Sequence, residues 1–236
     1  MIVQGDVKGL EVVTAAYLSQ DDVLCKEIRD KVDIHESNRL RFNLPSRLIA
    51  KTFKFRLIYG GSAWAYALDP EFNFISSDPN WWQEVINEYY RKYEGLGIWH
   101  KYLMHEATTT GKVVVPTGRF FPFKPYQKRG EWVWPRTTIL NYPVQGTGAD
   151  LVSLGRVEFA RRFKQDGVNG VLVTTVHDSL VADVVDDHVQ HTALLLQEST
   201  AAIPQLFEER FGVEFNLPLV SEVTFGKNYK EMQEIS

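Results

Sequence analysis

The stretch from Val168 to Val185 constrains the fold more than any other part of the chain. Val168 to Val176 is β-branched and apolar, His177-Asp178-Ser179 is polar, and Leu180 to Val185 is apolar again, the pattern of a β-hairpin. Flanks this apolar belong in a buried sheet, which leaves the triplet as a polar island at the hairpin tip. Further strands come from the two ends of the chain. The opening residues read as a strand ending near Asp6 and then an apolar-periodic helix through Leu18, and Leu217 to Phe225 reads as a closing strand. Helical spacing fills the middle. Pro45-Ser46 starts a helix that stops at Gly60-Gly61. Trp82, Val85, Ile86, Tyr89, Tyr90 and Tyr93 recur at three and four within a helix over 81–107. Gly146 to Phe163 and His188 to Phe211 read as two more helices. Asp33 to Ser37 reads as a polar break, and Gly111 to Arg119 as a short strand and turn. With no repeat and no linker between halves, the expected fold is α+β: a sheet domain formed by 1–31 and 136–236, carrying a mostly helical insertion over 32–135.

Composition narrows the function classes. No apolar run reaches the roughly 18 residues that span a bilayer, and the N-terminus lacks the basic and apolar regions of a signal peptide, so no membrane role and a reducing, cytoplasmic setting are expected. The single cysteine, Cys25, forms no internal disulfide and makes a structural zinc site improbable. A net charge of −4 argues against a nucleic-acid partner only if the charge is evenly spread. It is not. From Ser37 to Leu68 there is no acid, while Arg39, Arg41, Arg47, Lys51, Lys54 and Arg56 give +6 over 32 residues. From Ala107 to Gly130 there is again no acid, and Lys112, Arg119, Lys124, Lys128 and Arg129 give +5 over 24. The other 180 residues therefore carry −15. Charge runs are usually solvated faces, but aromatics interleave with both runs and favour a phosphate-rich ligand.

Two constellations could carry chemistry. Asp6 and Asp178, at a strand end and a hairpin tip, can converge on one edge of a sheet. Paired carboxylates suit Mg²⁺, which takes oxygen ligands and keeps water and phosphate in its other positions, and such a site can hold two ions that clamp a phosphoryl displacement. An aspartate in a hairpin turn can equally be a turn residue. The second constellation is Arg47, Lys51, Phe55 and Tyr59, each four apart. Four residues advance about 400°, so each is displaced about 40° from the last and all four share a face of about 120°. Cation, cation, ring and ring-with-hydroxyl match a nucleoside triphosphate read from phosphates to base. The plainer alternative is an amphipathic helix with a basic rim.

With these residues in view, the chain resembles the C-terminal part of the family A DNA polymerases, the polymerase I type, and is most similar to the bacteriophage branch. Asp6-Val7-Lys8-Gly9-Leu10-Glu11 matches a first aspartate motif, Arg47 through Tyr59-Gly60 the fingers helix motif, and Val176-His177-Asp178 a second aspartate motif. Asp33-Ile34-His35, Pro116 to Arg119, Asn141 to Gly146 and Phe225 to Asn228 are similar to family segments in the same order. The resemblance implies an antiparallel palm sheet with a helical fingers insertion and template-directed transfer of dNTP to a primer 3′-hydroxyl. It further implies two Mg²⁺ ions held by Asp6, Asp178 and the Val7 carbonyl. Arg47 and Lys51 would grip the triphosphate, Lys51 serving the leaving group, and His35 would add a phosphate contact. Phe55 would pack on the sugar and Tyr59 near the base, and Glu11 would exclude a ribose 2′-hydroxyl. Asn141, Gln145 and His177 would touch the primer–template.

Two departures qualify the resemblance. Ser179 stands where the family usually has glutamate, so a third carboxylate beside the metals is missing and reduced or metal-sensitive activity is expected. The first aspartate motif begins at Asp6, leaving no room for the thumb, upstream palm or exonuclease that precede it in the family, so a second polypeptide or a longer reading frame is expected to supply them. Other classes are a non-catalytic nucleic-acid-binding remnant, a single-subunit RNA polymerase, against which Glu11 and Phe55 speak, and a plain scaffold with a basic surface.

Overall fold

A computed structural model describes residues 1–235. In chain order its elements are β1 (Ile2–Val7), α1 (Leu10–Ser19), α2 (Asp22–Arg29), α3 (Ile34–Arg41), α4 (Arg47–Ile58), α5 (Ala63–Leu68), α6 (Pro79–Lys92) and α7 (Glu94–Thr110). Then come β2 (Lys112–Val114), β3 (Phe120–Pro122), β4 (Tyr126–Lys128), β5 (Glu131–Val133) and α8 (Arg136–Gln165). The chain continues with β6 (Gly170–Val176), β7 (Ser179–Val184), α9 (Val189–Ala201), α10 (Ile203–Phe211), β8 (Ser221–Gly226) and β9 (Gln233–Glu234). Two compact units result: Met1–Thr14 with the chain from Gly146 onward, and Ala15–Gln145.

The first unit is built on an antiparallel sheet of order β6-β7-β1-β8-β9. The N-terminal strand β1 lies at its centre. Alternation along β1 buries Val3, Gly5 and Val7 and sends Gln4 and Asp6 to the opposite face. Helix α9 covers the buried face, and Gly5 permits its close approach: a Cβ there would lie 3.2 Å from Leu196 Cβ. Strand β7 is buried at Leu180, Val181, Ala182 and Val184. Its neighbour β6 is not, since Val171, Val173 and Val176 are exposed, so only one arm of the hairpin is the buried strand that its apolar sequence suggests.

The second unit is helical with two small hairpins, β2–β3 and β4–β5. The buried side of α4 carries Ala50, Phe53, Lys54, Leu57 and Ile58. Phe53 packs in an aromatic cluster with Phe42, Tyr66, Trp82 and Tyr89, and the Tyr66 hydroxyl donates to the Phe53 carbonyl at 2.9 Å. A separate apolar cluster joins Leu103, Ala107, Val113, Phe123, Ile139 and Leu140. Asp21, almost fully buried, ties α2 to α7 by accepting from Leu24 N at 2.8 Å and Leu96 N at 3.1 Å.

Several boundaries differ from the periodicity reading. Asp33 to Ser37 is no break but the start of α3, with Asp33 as its N-cap. The helix expected over 81–107 is two, parted at Tyr93, and Pro204 marks the split of the last helix into α9 and α10. Helix α8 begins at Arg136, ten residues before Gly146, and runs through Pro143. Proline and glycine argue for a break there, but burial of Ile139, Leu140 and Val144 holds the early turns helical. The closing strand starts only at Ser221.

Candidate functional site

In the sheet unit, the register brings the two aspartates together. Asp6 pairs opposite Ser179, the first residue of β7, and the two-residue loop His177-Asp178 immediately precedes it. His177 adopts φ 54°, the positive value that a tight hairpin needs at its first loop position. The loop docks on β1, because Val7 N donates to the Asp178 carbonyl at 3.1 Å. Burial, and then the neighbouring charge of Asp6, push the Asp178 carboxyl above the usual carboxylate range, with a smaller contribution from Glu11. Asp6, Val7, Glu11 and Asp178 thus share one neighbourhood, and His177 stands exposed at the turn. Among the described residues no cluster of three or more histidine, cysteine or carboxylate side chains is arranged to hold a metal ion. Two carboxylates forced together in a half-buried setting nevertheless fit a hard divalent cation, whose charge relieves their repulsion and whose remaining positions take water or phosphate.

Ser179 also bears on this pair. Its Oγ donates to Asp6 Oδ1 at 2.5 Å and accepts from Gln4 Nε2 at 3.1 Å. Gln4 lies two residues before Asp6 on the same face of β1, a period-two relation readable in the sequence once Asp6 is singled out.

In the helical unit, α4 presents Arg47, Lys51, Phe55 and Tyr59 away from its buried side, as the four-residue spacing requires. Ser46 caps the helix by accepting from Ile49 N. Arg47 Nε donates to Asp33 Oδ2 at 2.7 Å, and Lys51 Nζ lies 5.9 Å from the centre of the Phe55 ring. The His35 ring lies 6.2 Å from Phe55. Burial, together with the charges of Lys54 and Arg47, holds the His35 imidazole down at about 3, so it is neutral and offers an N–H rather than a cation. Gln145 Nε2 donates to the Tyr59 hydroxyl at 2.7 Å, joining two of the expected contacts. The buried Oδ1 of Asn141 accepts no hydrogen bond among the described residues.

The first basic run is less cationic than its sequence suggests. Arg39, Arg41, Arg47 and Arg56 pair with Glu36, Glu88, Asp33, and Asp69 with Glu71, acids that lie outside the run. Lys54 is buried, which leaves Lys51 as the exposed cation without an ion pair among the described residues. Asp33, which in sequence reads only as part of a polar break, is both the N-cap of α3 and the partner of Arg47. The signal was its place just before a polar stretch with a glutamate three residues on, the N-cap pattern.

Residues 1–231 match the family described as DNA polymerase family A. Among curated relatives, the chain is similar to a thermostable DNA polymerase I of Thermus filiformis, at 28% identity over 99% of this chain and 27% of the relative. It is also similar to DNA polymerase I of Pseudomonas aeruginosa, at 26% identity over 98% of this chain and 25% of the relative. Among solved structures, the POL domain of Pol1 from M. smegmatis, in complex with DNA primer-template and dNTP, superposes with a TM-score of 0.79 at 19% identity. That match covers 96% of this chain and 39% of the other. The chain spans about a quarter of the length of the curated relatives it matches.

Proposed function

This chain belongs to DNA polymerase family A, and on that premise we propose that it forms the palm (1–31 and 136–236) and fingers (32–135) of a template-directed DNA polymerase. The observation that carries the reading is the meeting of Asp6 and Asp178 at one end of the sheet, in a chain whose α4 presents Arg47, Lys51, Phe55 and Tyr59 along one side. In the reaction the primer 3′-oxygen bonds to the α-phosphorus of a dNTP as the bond to pyrophosphate breaks. Asp6, Asp178 and the Val7 carbonyl would hold two Mg²⁺ ions, which would supply acidification of the attacking hydroxyl and neutralisation of charge on the departing group. Arg47 and Lys51 hold the triphosphate, and Lys51 offers a proton to the pyrophosphate. His35, neutral, donates an N–H to a phosphate oxygen. Phe55 packs on the sugar, Tyr59 near the base, and Glu11 occupies the space of a 2′-hydroxyl. Asn141, Gln145 and His177 read the minor-groove edge of the primer–template, where acceptors are similar in every correct pair.

Because the chain spans about a quarter of those relatives, we further propose that a second polypeptide or an upstream reading frame supplies the thumb, the rest of the palm and any exonuclease. A cytoplasmic setting, of a host cell if the gene is viral, and a bacteriophage-like branch complete the reading, and the gene's neighbours test both. The substitution of serine for glutamate at 179 favours one alternative, a remnant that binds nucleic acid without catalysis. Primer extension by the chain combined with its upstream part separates the two. Asp6→Ala and Asp178→Ala should abolish incorporation while dNTP binding survives. Absence of incorporation by the unsubstituted pair, with DNA binding intact, would establish the remnant instead. Robust extension by the 236 residues alone would refute the split.

A further inference from the structure

Asp6 does not present two equivalent oxygens. Its Oδ1 accepts the hydroxyl proton of Ser179 at 2.5 Å. A serine hydroxyl has a single proton, and the amide of Gln4, donating to the same Oγ at 3.1 Å, turns that proton toward Asp6. The sheet builds this chain of donors. Asp6 and Ser179 are register partners, Gln4 shares the face of Asp6, and Ser179 is only 5% exposed, so water competes little for its hydroxyl.

We propose that Ser179, steered by Gln4, is a positioning residue that fixes Asp6 as a one-oxygen ligand and so biases the site toward Mg²⁺ over Ca²⁺. This rests on the reading that Asp6 and Asp178 hold divalent metal. Mg²⁺ demands near-ideal octahedral geometry and is satisfied by single carboxylate oxygens, whereas Ca²⁺ readily takes both oxygens of one carboxylate in a larger, looser shell. With one lone pair of Oδ1 taken by a hydroxyl at 2.5 Å, chelation through both oxygens must share Oδ1 with that proton and weakens the hydrogen bond, while ligation through Oδ2 leaves it undisturbed. A neutral donor at 179 also adds no third negative charge, so selectivity here comes from orientation and not from charge count.

The test is a Mn²⁺ titration of the full chain, following free Mn²⁺ by electron paramagnetic resonance, with Mg²⁺ and Ca²⁺ as competitors. Ser179→Ala should weaken Mg²⁺ by about 10-fold, the usual loss when a group orienting a metal ligand is removed, and weaken Ca²⁺ less, narrowing the preference. Ser179→Thr, which keeps the hydroxyl, should restore the parent ratio. Gln4→Leu leaves the hydroxyl in place but unsteered, should shift the ratio in the same direction, and carries the test if Ser179→Ala unfolds. An unchanged Mg²⁺/Ca²⁺ ratio in Ser179→Ala and Gln4→Leu, with binding abolished in Asp178→Ala, would overturn the positioning role and leave the metal reading standing. Undiminished Mn²⁺ binding in an Asp6→Ala/Asp178→Ala double variant would overturn both.

Discussion

Asp33 uses its two oxygens for two purposes. Oδ1 accepts from the backbone N–H groups of His35 and Glu36 and so caps α3, while Oδ2 accepts from Arg47 Nε at 2.7 Å. The Arg47 guanidinium in turn holds the Asp33 carboxyl below the usual range. Among the described residues only Nε of Arg47 is engaged and the side chain is half-exposed, so its two terminal nitrogens stay available as a fork suited to phosphate oxygens. Asp33→Asn keeps an oxygen for the cap but removes the negative charge that faces Arg47. The pair is half-exposed, and exposed pairs couple by about 1 kcal/mol or less, so KM for dNTP should rise about two- to five-fold with kcat little changed. Steady-state kinetics check this, and an unchanged KM would show that Arg47 needs no partner to face the ligand.

At the scale of elements, one buried and one half-buried imidazole make the helical unit sensitive to acid. His100 in α7 lies with Nδ1 3.0 Å from the Tyr90 hydroxyl of α6, and burial, helped by the Arg136 charge, holds it down at about 3. His35 in α3 is held at about 3 as well. An unfolded histidine titrates near about 6.5, so in the window between these values the unfolded chain binds protons that the folded one refuses. Stability is complete above the upper value and drains away as pH falls toward the lower one. Thermal melts should therefore show a falling Tm across that window, and His100→Gln should flatten part of the fall. A Tm indifferent to pH there would mean that both rings are more accessible to protons than their packing implies.

Across the whole molecule, the exposed edge of the sheet is a liability. Strand β6 ends the order β6-β7-β1-β8-β9 with Val171, Val173 and Val176 at 61%, 56% and 49% exposure. An edge of unpaired backbone groups with apolar side chains is a template for association. The chain in isolation should therefore self-associate, and Val171→Lys with Val173→Lys should shift it toward monomer in light scattering. A monomeric parent would show that the bulge between Leu172 and Thr174 already blunts the edge. No helix among the described residues is long and apolar enough to cross a membrane.

What could be read without coordinates was whatever depends on short-range periodicity. Period two placed Asp6 at the end of a strand and Asp178 at a hairpin tip, and the four-residue step aligned Arg47, Lys51, Phe55 and Tyr59 on one side of α4. The ordered motifs carried the family. What the sequence left hidden depends on which distant segments meet. That β1 lies between β7 and β8, and so sets Ser179 against Asp6, is a matter of register between residues 173 positions apart. The acids that pair with the first basic run lie just beyond its ends at Asp33, Glu36, Asp69 and Glu71, or farther along the chain at Glu88, so a count confined to the run does not find them. The exposure of β6 is set by its edge position, since its own residues are as apolar as those of its buried neighbour. Sequence alone determined which residues repeat at strand and helix periods and which motifs they spell. The tertiary structure decided how those residues are partnered, because hydrogen bonds, burial and charge pairing are properties of neighbours in space.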